Sequence, residues 1–409
     1  LQRTSLYETH VQMGAKMAPF AGYEMPLWYT SVSEEHLAVR QAAGLFDVSH
    51  MGVLEASGPY ALEFLNLVTT NDVSALDVGQ SHYTYLLFPD GRVVDDLLVY
   101  RRGPEQFMMV VNASNNDKDW AWLKAVNEGR VQIDSQRPWV KVQQPAVLRD
   151  LRDPRWGAEC RVDVALQGPR STEILLALGA DAATTRRIKA LPWAGLTEGV
   201  VGGFNLIISR TGYTGERTAY ELFVHPDQAP AFWQALMAAG QPLGLKPCGL
   251  AARDSTRTEA GLPLYGHELA GPLDLNPGDA GFGSYVKLWK PFFVGRRAFI
   301  GREEKRERVV TRFRMNEKGV RRPENGDPVL DKRGKVIGTV TSCAIDSEGY
   351  LLGQAILPLA AAEPGTPLFI YQLGGGARPI QSPAQVKVGA RLPMPDGATV
   401  LTRFPGKKK

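Results

Sequence analysis

The sequence predicts an α+β fold built on antiparallel sheets, followed by a smaller all-β unit. Three observations lead there. Strand patterns at Thr84–Phe88, Val93–Tyr100 and Phe107–Val111 follow one another through short turns such as Pro89-Asp90-Gly91, which is how antiparallel neighbours are joined. Helical patterns at Val32–Ala43, Ala61–Val68, Lys118–Asn127, Ser171–Leu178 and Ala229–Ala239 are interspersed with these strands and with Val162–Leu166 and Leu206–Ser209. Beyond residue 308 the pattern changes. Short runs at Val309–Phe313, Val336–Thr341, Leu351–Ile356 and Pro367–Tyr371 are separated by Gly, Pro and Asp, as in a small sandwich or barrel.

At 409 residues the chain exceeds one compact core, so two or three domains are expected. The stretch Gly266–Gly283, with Pro272 and Pro277, reads as an irregular connection, and the charge run Gly301–Arg308 reads as a solvated segment. These changes divide the chain into residues 1–275, a linker 276–308 and a β domain 309–409.

Composition excludes several function classes. Hydrophobic content of 44% and charged content of 22% are those of a globular protein. The net charge of +4 is nearly accounted for by Lys407–Lys409, so no concentrated basic face for nucleic acid is expected. Cys160, Cys248 and Cys343 are isolated, the six His form no HxH, HxxH or HExxH, and neither a disulfide framework nor a metal site is expected. Leu1–His10 has no apolar core of a signal peptide, and no run approaches the roughly 18 apolar residues that span a bilayer, so the expectation is a cytoplasmic protein with no membrane association. No phosphate-binding glycine loop occurs in strand–helix context.

Three segments carry chemistry. In the strand Gly91–Tyr100, strict alternation puts Val93, Leu97 and Val99 on the face of Asp95, and Val94, Leu98 and Tyr100 on the face of Asp96. Both faces are apolar, so each carboxylate faces a packed layer, where an ionised group is costly unless paired or used. The alternative is that both sit half-solvated at the start of the strand. In Ile208–Glu216 a strand runs into a loop whose Gly212 and Gly215 permit close backbone approach to a ligand. The return strand then sets Glu221 beside Phe223, with Tyr220, Leu222 and Val224 opposite. A carboxylate on an apolar strand suits the guanidine-like edge of a pterin, which it accepts bidentately as it accepts Arg; the bland alternative is a hairpin with Glu221 at its exposed rim. The helical Gly249–Ala260 places Arg253 and Arg257 on one face, where they suit the carboxylates of a folate tail or form an exposed basic face offset by Asp254.

These segments resemble the aminomethyltransferase family, which comprises the glycine cleavage T-protein and related tetrahydrofolate-dependent one-carbon transferases and demethylases. The likeness runs from about Leu6 into the C-terminal unit. It is carried by Phe20–Pro26, Gly44–Gly52, Thr70-Asn71-Asp72, Asp95–Tyr100, Val110–Asn115, Leu166–Pro169, Arg210–Glu216 and Gly249–Asp254. The resemblance implies a ring of three domains, two of them interleaved α+β domains and the third a barrel-like β domain, around a central folate channel. It implies Asp96 as the catalytic residue, with Glu221, Arg253, Tyr83, Asn112, Met51 and Tyr213 lining the tetrahydrofolate site and no metal. It also implies a lipoyl carrier of the H-protein type as partner, with methylene-tetrahydrofolate and ammonia as products. Departures occur at Gly281–Tyr285, at Arg391–Pro395, in a longer loop after Glu216 and in an apparent insertion over Gln144–Cys160, while the folate-side residues match. They raise the alternative of a demethylase acting on a small N-, O- or S-methylated substrate. A non-catalytic relative that assists iron–sulfur assembly would carry a Lys-Gly-Cys segment near the domain junction, where this chain reads Lys290-Pro-Phe-Phe.

Overall fold

The computed structural model describes residues 1–373, 386–393 and 396–406; Lys407–Lys409 and the Met394-Pro395 end of the Arg391–Pro395 segment lie outside them. The chain divides into two compact units, Leu1–Arg253 with Ser284–Ile300, and Asp254–Gly283 with Gly301–Lys409.

The first unit contains a short hairpin, β1 (Lys16–Phe20) with β2 (Tyr23–Trp28), and two larger sheets. The six-stranded sheet runs β10 (Leu196–Val201), β11 (Phe204–Ser209), β12 (Ala219–Val224), β9 (Val162–Gln167), β3 (Ala43–Asp47), β13 (Leu245–Cys248). Only its β13–β3 pair is parallel. The five-stranded sheet runs β5 (Gln80–Leu87), β6 (Val93–Gly103), β7 (Gln106–Val111), β4 (Gly52–Ser57), β8 (Val147–Asp150), antiparallel throughout. The supposed insertion therefore contributes β8, an edge strand.

Helices cover the outer faces. Around the six-stranded sheet, α5 (Ser171–Ala177), α6 (Ala182–Ala190) and α7 (Ala229–Gly240) enclose a core of Val162, Val164, Leu166, Tyr220, Leu222, Val224, Phe232 and Trp233. Around the five-stranded sheet, α3 (Ala61–Val68) and α4 (Asn116–Asn127) close over Val94, Leu97, Val99, Leu123 and Val126. Also present are α1 (Tyr7–Gln12), α2 (Val32–Gln41), α8 (Leu250–Ala260) and α9 (Arg296–Glu303). Ser31 caps α2 by accepting from the Glu34 N–H at 3.2 Å. That helix stops at Gln41, because Ala43 already belongs to β3. The charge run at 301 is not wholly solvated coil, since α9 takes its first residues.

One local detail revises the sequence reading. Leu86 pairs with Asp95 but Leu87 pairs with Val93, so β6 holds one extra residue at a bulge. Val94 is thereby turned into the core with Leu97 and Val99, on the side of Asp95 rather than Asp96.

The second unit holds a closed barrel in the order β14 (Arg308–Met315), β17 (Leu351–Pro358), β16 (Val336–Ile345), β15 (Pro328–Leu330), β18 (Pro367–Ile370), β19 (Asp396–Leu401). Its interior is filled by Phe313, Val329, Val340, Ala355, Leu368 and Val400. The α+β class with a terminal β barrel is thus the observed one. Among the described residues, no helix is long and apolar enough to cross a membrane.

Candidate functional site

The inner faces of the two large sheets of the first unit meet. Val53, Tyr100, Met108 and Val110 from the five-stranded sheet pack against Leu196, Ile207 and Phe223 from the six-stranded one, with Met51 and Leu98 at the margin. The rings of Tyr100 and Phe223 touch edge to face at 5.8 Å. Side chains that alternation aims inward from either sheet therefore converge, and Tyr83, Asp96 and Glu221 lie among them.

Asp96 comes from the middle of β6. Tyr83 and Tyr85 on β5 oppose Leu98 and Asp96, so these four share a face. The Tyr83 hydroxyl donates to Asp96 Oδ2 at 2.7 Å, and Asn112 Nδ2 donates to Oδ1 at 2.9 Å. Tyr83 is itself braced edge to face by Tyr85 at 5.1 Å and Tyr285 at 5.0 Å. Burial, and then the charge of Asp95, push the Asp96 carboxyl up to about 7, although both hydrogen bonds act the other way. Burial and the adjacent Asp96 raise Tyr83, so it stays neutral and donates. A carboxyl with partial solvent access that titrates near neutrality can hold either a charge or a proton in the working range.

Asp95, one residue earlier, faces the opposite way and is fully buried. It accepts from Asn112 N at 3.0 Å, Asn112 Nδ2 at 2.9 Å and Asn115 Nδ2 at 2.5 Å. Asn112, just after β7, thus bridges the two carboxylates.

Glu221 sits on β12 and is 8% exposed, so the rim position is not the one adopted. Its Oε2 accepts from the Tyr100 hydroxyl at 3.1 Å, across the sheet interface, and from the Thr211 hydroxyl. Among the described residues no donor reaches Oε1. The loop leading to it is held by Arg40, which donates to Thr214 O at 2.7 Å and Glu216 Oε1 at 2.8 Å, and by Thr214 donating to Gln167 Oε1 at 3.0 Å. That loop carries Tyr213, and the Arg253 guanidinium lies over its ring at 4.9 Å.

The paired-arginine expectation fails. Arg257 is 1% exposed and donates to Asp254 at 2.6 Å, Glu268 at 2.7 Å and Ser342 at 2.6 Å within the second unit. A guanidinium so engaged cannot serve a ligand, and only Arg253 is placed beside Tyr213.

Residues that sequence reasoning missed complete the picture. Alternation puts Tyr100 on the face of Asp96 but does not mark it as a partner of Glu221, and nothing local to the loop marks Thr211 as one. Asp163 on β9 pairs with Phe223, one cross-strand step from Glu221. It is 1% exposed, and among the described residues neither oxygen has a hydrogen-bond donor. Burial and then Glu221's charge raise it well above the usual carboxylate range. Asp119 of α4 is equally buried; its spacing to Leu123 and Val126 (i, i+4, i+7) was the available signal that it faces inward. No group of three or more His, Cys, Asp or Glu side chains among the described residues could hold a metal ion.

Comparison with known proteins shows the family. Residues 6–290 match the family model described as the GCVT N-terminal domain. The chain is 41% identical over 390 residues to an aminomethyltransferase of Symbiobacterium thermophilum, covering 94% of this chain and 97% of that one. It is 41% identical to an aminomethyltransferase of Bacillus subtilis, covering 90% and 93%. The crystal structure of the glycine cleavage system aminomethyltransferase T from Bartonella henselae superposes with a TM-score of 0.78 at 29% identity, covering 98% of this chain and 97% of that one. These relatives do not favour the demethylase or the iron–sulfur assembly alternative. With folded sheets that bring the motif residues together, and with full-length relatives of one name, the chain belongs to the aminomethyltransferase family of one-carbon-group transferases.

Proposed function

We propose that the protein is a tetrahydrofolate-dependent aminomethyltransferase that draws an aminomethyl group from the lipoyl arm of a carrier protein and releases ammonia and 5,10-methylene-tetrahydrofolate. The observation that carries this reading is the buried Glu221, whose Oε2 is fixed by Tyr100 and Thr211 while no donor among the described residues reaches Oε1. A pterin ring fits such a carboxylate: its 2-amino and N3–H edge supplies the missing donors, and the partly buried Met51 and Leu98 suit its apolar faces. Arg253, stacked on Tyr213, suits the tail carboxylates.

Tetrahydrofolate supplies the nucleophilic nitrogen that receives the one-carbon unit. Asp96, held by Tyr83 and Asn112, presents a fixed negative charge where positive charge develops on nitrogen, and its elevated pKa lets it hold or release a proton there. The bracing of Tyr83 by Tyr85 and Tyr285 fixes that charge in direction, so no reorganisation is needed during transfer. The three cysteines are free and buried, in keeping with a reducing, cytoplasmic setting.

Calorimetry with reduced folate, alongside an assay of methylene-tetrahydrofolate formation from an aminomethylated lipoyl carrier, tests the proposal. Binding without added metal or nucleotide is expected, and turnover should fall as pH drops through about 7, where Asp96 takes up its proton. A folded protein that binds no folate, or that forms methyl-tetrahydrofolate from methylated small molecules instead, overturns it.

A further inference from the structure

The outer side of the catalytic strand carries an arrangement the proposed reaction does not use directly. Asp119, in the first turn of α4, exposes none of its surface, and among the described residues no N–H or O–H donor reaches either carboxyl oxygen. The group it meets is another carboxyl, Asp95, with which it shares a hydrogen bond. Two buried carboxyl groups in hydrogen-bonding contact need a proton between them. Its owner follows from the donors: Asp95 accepts from Asn112 N, Asn112 Nδ2 and Asn115 Nδ2, whereas Asp119 accepts from no described residue. Asp95 is therefore the anion and Asp119 the neutral acid.

We infer that Asp119 is a positioning residue for Asp96: as a permanently protonated acid it donates to Asp95, which keeps Asp95 ionised and aimed at Asn112, the amide that holds Asp96. The inference rests on the reading of Asp96 as the reacting carboxylate. The charged and titratable groups facing Asp119 are Asp95 and Asp96 from β6 and Lys118 from its own helix. Burial first, and then Asp95, push Asp119 up to about 11, against a smaller opposing effect of Lys118. A chain of contacts thus runs from α4 through Asp95 and Asn112 to the carboxyl that Tyr83 fixes from the other side. Without the Asp119 donor, the proton settles on buried Asp95, the like charge beside Asp96 disappears, and Asp96 becomes easier to ionise.

The full-length chain with Asp119→Asn or Asp119→Leu tests this. The amide still donates to Asp95, so Asp119→Asn should keep kcat within about threefold, whereas Asp119→Leu should lose about tenfold to a hundredfold with little change in KM. The acid limb of the Asp119→Leu pH profile should also move to lower pH, which loss of packing alone does not produce. Should the Leu variant fail to fold, infrared difference spectroscopy of wild type against Asp119→Asn at pH 8 decides: a protonated-carboxyl band present in wild type and absent from the variant supports the inference. No such band, equal kcat for the two variants, or an unmoved acid limb overturns it. Folate calorimetry separates the two readings, since a wild-type protein that shows the band but binds no folate contradicts the function proposed above and not the proton on Asp119.

Discussion

Adjacent aspartates on one strand hold opposite positions, and the difference sets what each substitution does. Asp96 faces the gap between the sheets, where Tyr83 and Asn112 fix it; Asp95 faces α4 and acts on the site through Asn112 and through its charge. Asp96→Asn should therefore lower kcat by about a hundredfold or more, as expected for loss of a preorganised charge, and Asp95→Asn should cost less. Equal losses in steady-state kinetics would mean that Asn112 relays everything and that Asp96 has no role of its own. Asp96 also predicts a pH dependence of stability. Its folded-state carboxyl is raised from 3.8 to about 7, so its contribution is fully present below pH 3.8 and is lost as pH rises through 7. Denaturant titrations should show wild type losing stability between pH 4 and 7 relative to Asp96→Asn, and parallel curves would refute the assignment. At Glu221, a Gln side chain would keep its oxygen on Tyr100 and Thr211 and turn its N–H2 towards the pterin donors. Folate affinity should fall by about 2–4 kcal/mol, roughly 30- to 800-fold in Kd, with the melting temperature of the free protein nearly unchanged. Unaltered affinity with early melting would instead make Glu221 a purely structural residue.

At the scale of elements, the site depends on where strands and helices begin. The bulge in β6 absorbs one residue between Val93 and Asp95, and it sets which face each later side chain takes. Downstream of it, Asp96, Leu98 and Tyr100 all face the opposing sheet. The start of α8 is as constrained: a Cβ on Gly249 would lie 2.3 Å from the Leu27 carbonyl oxygen and 2.7 Å from the Trp28 nitrogen, both backbone atoms of β2. Gly249 N also donates to Glu35 Oε2 at 2.8 Å. Gly249→Ala must push the helix start off β2, at about 1–3 kcal/mol. Because Arg253 lies one turn on, folate affinity should weaken as the melting temperature falls. Calorimetry and thermal denaturation together check this; a lower melting temperature with intact affinity would show that Arg253 does not depend on the helix start.

At the scale of the whole molecule, the chain passes between its two units at residues 253–254, 283–284 and 300–301. Residues 254–283 fold with the barrel unit: Leu275 packs with Val310 and Ile356, and Arg257 donates to Ser342. A chain truncated after Ile300 strips these partners away and leaves an Arg that was 1% exposed in an unsupported segment. Trypsin should cut such a chain rapidly at Arg257, the one Lys or Arg within 254–283, while the 409-residue chain resists there. Resistance of the truncated chain at Arg257 would show that this segment finds its structure without the barrel.

What the sequence by itself determined was local. Short apolar runs bounded by turn residues marked β6, β7, β9 and β12; the i, i+3, i+4 pattern marked α3, α5 and α7; and Gly-rich punctuation marked the change to an all-β unit. These are properties of neighbouring residues, so they can be read without knowing what packs against them. The same is true of the motif residues Asp96, Glu221 and Arg253, whose order along the chain carried the family resemblance. Only the tertiary structure separated Arg253 from Arg257, four residues apart on one helix, because the partners that consume Arg257 include Glu268 and Ser342 from elsewhere in the chain. It alone turned Val94 to the other face, since a bulge depends on the register of the partner strand. And it alone put Asp119 against Asp95 and Asp163 beside Glu221, far apart in sequence, where burial rather than residue type decides which carboxyl keeps its proton.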